Sequence, residues 1–154
     1  MGTTETRDIN RAALYEWISR RWWDKEQHTL LPESGGTLRF VFAAEADEFE
    51  KDRNMAEQID NLEDSYLNWF ETPIEVFDTE DPSEFMVYFR HGYGQTASGE
   101  FHESEFLLLY RLEDGLVVHI DEYFQPLEIM KTLGRDVSPA VLLRDSSLPE
   151  PPFW

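Results

Sequence analysis

Apolar residues between Asp8 and Gln27 recur at three- and four-residue intervals, with Ala13 and Trp17 flanked by Leu14, Ile18 and Trp22. That spacing predicts an amphipathic helix capped by Asp8. Pro32-Glu-Ser-Gly-Gly breaks the pattern, and Thr37 to Phe42 reads as a strand entering an acidic, solvated loop from Glu45 to Asp52. A second helical stripe, Met55, Ile59, Leu62, Tyr66 and Trp69, predicts a helix from Asn54 to Phe70, with Gln58 on its border. Pro73 ends it. The period then becomes two. Ile74 to Phe77, Glu84 to Gly92, Glu100 to Leu112 and Leu116 to Gln125 predict an antiparallel meander, its last turn at Glu113-Asp114-Gly115, where glycine supplies a positive φ. Leu127 to Leu133 reads as a short helix. Residues 138–154, ending Pro-Glu-Pro-Pro-Phe-Trp, form a proline-rich tail that is either mobile or docked by Phe153 and Trp154.

Helices followed by a long bent sheet make an α+β order, and in 154 residues the helices must cover one face of that sheet. The expectation is a single domain over residues 1–137, a cone with an opening. Twenty-two aromatic residues, 5 Trp, 6 Tyr and 11 Phe, suit either a plain core or a concave wall for a planar organic ligand.

Glu122 is in phase with Leu116, Val118, Ile120 and Phe124, whereas His119, Asp121 and Gln125 take the other face. Period-two geometry therefore turns this carboxylate inward. An enclosed carboxylate either finds a partner or rises in pKa towards the range useful for proton transfer. Glu122 is accordingly a candidate general acid/base, with a satisfied structural carboxylate as the alternative. His91 continues the phase of Phe85, Val87 and Phe89, with Tyr93 after it, and His102 shares a phase with Ser104, Phe106, Leu108 and Tyr110. Both are candidate partners, since either reaches Glu122 if the meander curls. His119 lies on the opposite phase and His28 in a connection. Trp17, Leu62, Trp69, Phe89 and Tyr93 are the candidate walls, and Gln58 the candidate orienting group.

The net charge of -19 opposes phosphate backbones and anionic membrane surfaces, so neither nucleic acid nor membrane is an expected partner. With no cysteine there is no thiolate nucleophile, zinc-thiolate site or disulfide framework. His102 and Glu103 are adjacent and point to opposite faces of a strand, and the acidic loop lacks calcium-loop spacing. No phosphate-cradling glycine loop or serine elbow occurs. The expectation is therefore no metal and no cofactor. No apolar stretch is long enough to span a bilayer, and the amino terminus lacks a signal-peptide pattern, which predicts a cytoplasmic protein.

The stretch from Met55-Ala-Glu-Gln-Ile to Trp69, the run Pro73-Ile-Glu-Val-Phe-Asp-Thr-Glu-Asp-Pro, Tyr110-Arg-Leu-Glu-Asp-Gly and Ile120-Asp-Glu-Tyr-Phe together resemble the PhzA/PhzB family. That family comprises phenazine-biosynthesis proteins within the SnoaL-like, nuclear-transport-factor-2-like (NTF2-like) superfamily. The similarity extends over roughly Asn10 to Pro139, including Asn10-Arg11 and Glu33-Ser-Gly-Gly. It implies a curved antiparallel sheet wrapped by about three helices, a deep pocket, a homodimer, and acid/base promotion of condensation between ketone-bearing ring carboxylates. Glu122 falls on the family's catalytic glutamate. The family's partner histidine lies in an Ala-Glu-His context, where this chain has Ala56-Glu57-Gln58. Glutamine cannot exchange a proton near neutral pH and can only orient a substrate. The loop between Gln95 and Glu100 is also shorter than the family's pattern.

Three functions are consistent with these residues. One is a cofactor-free enzyme of secondary metabolism that moves protons next to a carbonyl of an aromatic or cyclic substrate, in a reaction other than phenazine formation. Another is a pocket protein that binds and protects a biosynthetic intermediate. The third is a degenerate dimer partner of a catalytic paralogue. Leu107, Leu109, Val117 and Tyr123 are expected on the outer face as an apolar homodimer surface, unless the tail covers them.

Overall fold

The computed structural model describes residues 2–41, 52–62, 66–71 and 74–124. Within these, α1 (Thr3–Ile18) is followed by a 3-10 turn (Lys25–Leu30), β1 (Thr37–Phe40), β2 (Asp52–Asn54), α2 (Met55–Leu62), β3 (Tyr66–Glu71), β4 (Ile74–Asp78), β5 (Glu84–Thr96), β6 (Phe101–Glu113) and β7 (Leu116–Phe124). The expected helix at Leu127–Leu133, the tail from 138 and most of the acidic loop lie outside the described residues.

The seven strands form one curved, unclosed sheet in the order β2-β1-β7-β6-β5-β3, with β4 also paired to β5. β5 and β6 are the longest strands, and β5 is long enough to pair with β4 through Phe85–Phe89 and with β3 through Gly92–Thr96. The fold is the expected α+β cone, but the sheet is mixed, because β1 runs parallel to β7. Single-strand periodicity cannot show that direction, which depends on where the intervening chain delivers β1.

α1 lies across the inner face of β6 and β7. Leu14 and Trp17 bury there with Leu38, Phe85, Val87, Tyr110, Leu112 and Ile120, each at most 1% exposed. Burial of each large apolar side chain contributes about 1.5–3 kcal/mol. The fully buried Asn10 ties the helix to the sheet. Its Nδ2 donates to Leu112 O at 3.2 Å and Pro82 O at 3.4 Å, and its Oδ1 accepts from Gly115 N–H at 3.0 Å. That last bond holds the β6–β7 turn, where Asp114 and Gly115 have φ of 50° and 78°.

The predicted helix limits need correction. α1 begins at Thr3, leaving Asp8 inside it within 3.5 Å of Arg11, and ends at Ile18. Ser19 N–H closes on Tyr15 O, and the Asp24 side chain, accepting from Glu26 N–H, starts the separate 3-10 turn. Gln27 then folds back, donating to Trp17 O at 2.9 Å. α2 ends at Leu62, and Tyr66–Glu71 is a strand. The helical spacing of Tyr66 and Trp69 competes with a sheet edge that offers the backbone a ladder on β5, and the ladder prevails. Val117 is likewise corrected. A bulge pairs Arg111 with His119 but Leu112 with Val117, so Val117 turns into the core and is fully buried. Among the described residues no helix is long and apolar enough to cross a membrane.

Candidate active site

Downstream of the β7 bulge the inward phase is Ile120 and Glu122. Glu122 is 8% exposed and sits opposite Leu108 of β6 on one side and Phe40 of β1 on the other. Both neighbours are buried, so the carboxylate occupies an apolar stretch of the inner face. Its predicted inward placement is what the structure shows.

The residues that meet its register neighbour Phe40 come from a segment that reads from sequence as acidic loop and helix border. Arg53 of β2 pairs in register with Leu38 of β1, placing it on the face that buries Leu38. Its guanidinium lies over the ring of Phe40, 5.2 Å from the centroid, and its Nη1 donates to Gln58 Oε1 at 2.8 Å. Phe40 therefore has a carboxylate as its register neighbour and a cation over its ring, and Gln58 is tied to that cation. The local chain builds this corner from Gly35 and Gly36. Their carbonyls accept from Ala56 and Met55 N–H at 3.1 Å, and Asn54 Oδ1 accepts from Glu57 N–H at 3.1 Å. These bonds occupy first-turn donors of α2 that a helix leaves unsatisfied, and so fix the approach of Arg53 and Gln58.

The other predicted members are distributed differently. A bulge in β5 pairs Phe89 with Phe106 but Gly92 with Ser104, which reverses the phase between them. His91 and Tyr93 therefore face outward, away from Glu122. His91 pairs with Glu103, and its ring lies 5.0 Å from that of Tyr93, which stacks in turn 6.3 Å from the exposed Phe101. His102 pairs in register with Gly94, six residues along β6 from Leu108, or roughly 20 Å of strand. The side chains of His102 and Trp69 lie outside the described residues. Trp17 and Phe89, 1% and 2% exposed, belong to the packed core, and Leu62 is half-buried at the end of α2. His28 pairs with Asp60 at 2.9 Å on the surface.

The outer face carries a polar chain that the sequence reading passed over. Thr37 Oγ1 lies 2.6 Å from His119 Nδ1, His119 Nε2 lies 2.9 Å from Asp121 Oδ1, and Arg39 Nε donates to the same oxygen at 2.7 Å. Burial alone would raise the pKa of Asp121. The hydrogen bonds from Arg39 and His119, with their charges, outweigh it and hold the carboxyl below its ordinary range. Among the described residues, no group of three or more His, Cys, Asp or Glu is arranged to hold a metal.

Arg53 was missed because, with Lys51, it ends an acidic run, in a strand too short for alternation to register. Its signal was slight: an arginine next to the capping asparagine of the helix that carries Gln58.

No family model matches the chain, and no curated protein does. Solved structures do match. A phenazine biosynthesis-related protein, PhzB2, from Pseudomonas aeruginosa superposes with a TM-score of 0.73 at 19% identity, covering 96% of this chain and 97% of that one. A candidate SnoaL-like polyketide cyclase from Jannaschia sp. CCS1 gives 0.59 at 14% identity, with 86% and 94% covered. An NTF2-like protein from Anabaena variabilis gives 0.55 at 14% identity, with 80% and 89% covered. With 80–96% of this chain covered at 14–19% identity, these similarities establish that the chain has the NTF2-like fold shared by phenazine-related and SnoaL-like proteins.

Proposed function

We propose that this protein is a cofactor-free small-molecule enzyme of secondary-metabolite biosynthesis that moves a proton next to a carbonyl of a cyclic or aromatic substrate. Glu122 is the acid/base group. The reaction is a cyclisation, condensation, dehydration or isomerisation related to phenazine biosynthesis without forming phenazine. The observation that carries this reading is a carboxylate 8% exposed on the inner face, whose register neighbour Phe40 holds a guanidinium over its ring. A carboxylate placed there meets a ring substrate edge-on to an apolar wall, and a positioned proton-transfer group contributes about a hundredfold to ten-thousandfold in rate. The similarity to SnoaL-like and phenazine-related structures supports the substrate class by fold analogy. A homodimer formed through the outer face, where Met86 and Leu107 are 38% and 37% exposed, accompanies this reading.

The test is proton exchange. In heavy water the wild type should speed deuteration of 2-cyclohexen-1-one, followed by proton NMR, and Glu122→Gln should lower that enzymatic rate at least a hundredfold while keeping the fold. An unchanged rate in the variant would remove Glu122 from the role. A non-catalytic binder is the second reading, favoured by Gln58 standing as a hydrogen-bonding group held by Arg53 rather than as a proton-exchanging one. It predicts bound intermediate recovered unchanged from wild type and variant alike by native mass spectrometry.

A further inference from the structure

Removing a proton beside a carbonyl places a negative charge on the carbonyl oxygen, and a site that does this needs a donor aimed at that oxygen. The observations on Arg53 bear on that need. It shares the inward face with Leu38, its guanidinium is steadied over Phe40 at 5.2 Å, and Phe40 is the register neighbour of Glu122. Its bond to Gln58 also fixes the sense of that amide. A guanidinium only donates, so the oxygen of Gln58 must face it, at 2.8 Å, and the NH2 end of the amide is directed elsewhere as a donor.

From this arrangement we propose that Arg53 and Gln58 form the oxyanion-stabilising pair of the site, selecting enolisable ring ketones whose oxygen becomes anionic when Glu122 takes the neighbouring proton. The inference rests on the proton-transfer reading above. Glu122 accepts the proton, the C–H electron pair forms the new C=C bond, and the carbonyl π pair moves onto oxygen facing Arg53 and the Gln58 amide. Return of the proton to the same carbon gives exchange. Its return to a conjugated carbon gives an isomer, with no other reactant consumed. Arg53 touches the substrate oxygen, and Gln58 both positions Arg53 and supplies a second donor. Gln58, the member of the pair on the helix, is thereby a neutral donor that exchanges no proton.

4-Nitrophenol tests this, because its ring carries one oxygen that is either a phenol or a coloured phenolate. Wild type should bind the phenolate in preference to the phenol, seen as visible absorbance at a pH where the free compound is mostly protonated. Arg53→Gln should reduce that preference at least tenfold, Arg53→Lys should retain part of it, and Gln58→Glu, which replaces a donor with an anion, should reduce it as well. Glu122→Gln should keep or strengthen phenolate binding, since it removes a nearby negative charge. No phenolate preference in wild type, or the same preference in folded Arg53→Gln or Arg53→Lys as in wild type with Gln58→Glu also unchanged, would overturn the proposal. Loss of phenolate preference on Arg53 substitution together with unaltered cyclohexenone exchange in Glu122→Gln would sustain the anion site while removing the base.

Discussion

Asn10 shows how much a single polar side chain decides in this molecule. It is fully buried, yet its amide satisfies carbonyls of Leu112 and Pro82 and the N–H of Gly115, groups on two turns distant in sequence. Removing the amide leaves those groups buried without their partner, at about 1–3 kcal/mol for each such loss. Asn10→Ala is therefore expected to lower the unfolding free energy by about 2–4 kcal/mol, read as a reduced urea midpoint with an unchanged slope. Gln27 is the contrasting case. Its Nε2 serves Trp17 O, whereas its Oε1, also buried, has no hydrogen-bond partner among the described residues. From the sequence, Glu122 was legible because a carboxylate conspicuously interrupts an apolar alternation. Asn10 and Arg53 were not legible as site or core, since polar residues on helix faces and after acidic runs are ordinarily solvated.

At the scale of elements, two irregularities redirect the site. The bulge in β5 sends His91 and Tyr93 outward, and the bulge in β7 sends Val117 inward, each by one residue. Strict alternation across either strand assigns these residues to the wrong face, because one inserted residue reverses every side chain beyond it. The junction before α2 is equally exacting. Gly35 has φ of 86°, and a Cβ there would lie 2.6 Å from Asn54 Oδ1, the atom that caps the helix. Gly35→Ala must strain its backbone and displace the cap, so it is expected to cost about 2 kcal/mol and lower the thermal midpoint by roughly 4–8 °C. Gly2→Ala, where a Cβ meets nothing within 4 Å, is the control that should leave the midpoint unchanged.

For the whole molecule, the net charge of -19 sets an electrostatic background of self-repulsion that eases as carboxylates protonate. Asp121 runs against that background. Its folded-state pKa is depressed, so the unfolded state takes up its proton first as pH falls. Its contribution is therefore complete above the ordinary Asp pKa of about 4 and is lost as pH drops through the lower folded value. The stability difference between wild type and Asp121→Asn should accordingly be largest at neutral pH and shrink below about pH 4, measured by denaturant unfolding at each pH. Comparing the pair isolates Asp121 from the general relief of repulsion. Arg39 and His119 hold this carboxylate on the outer face, so the substitution should leave the cyclohexenone exchange proposed for Glu122 on the inner face unchanged.

The succession of helices and then long strands, the tight β6–β7 turn and the inward phase of Glu122 all follow from local patterning, because amphipathic period and turn chemistry are properties of neighbouring residues. Other features depend on contacts between segments far apart in the chain: the parallel entry of β1 beside β7, the ends of both α-helices, the two bulges, and Arg53 stacked on Phe40 with Gln58 held behind it. Those contacts follow from which backbone groups find partners as the sheet curves around α1. The cation over Phe40, the register neighbour of the candidate base, is consequently placed by strand register, which no local period encodes.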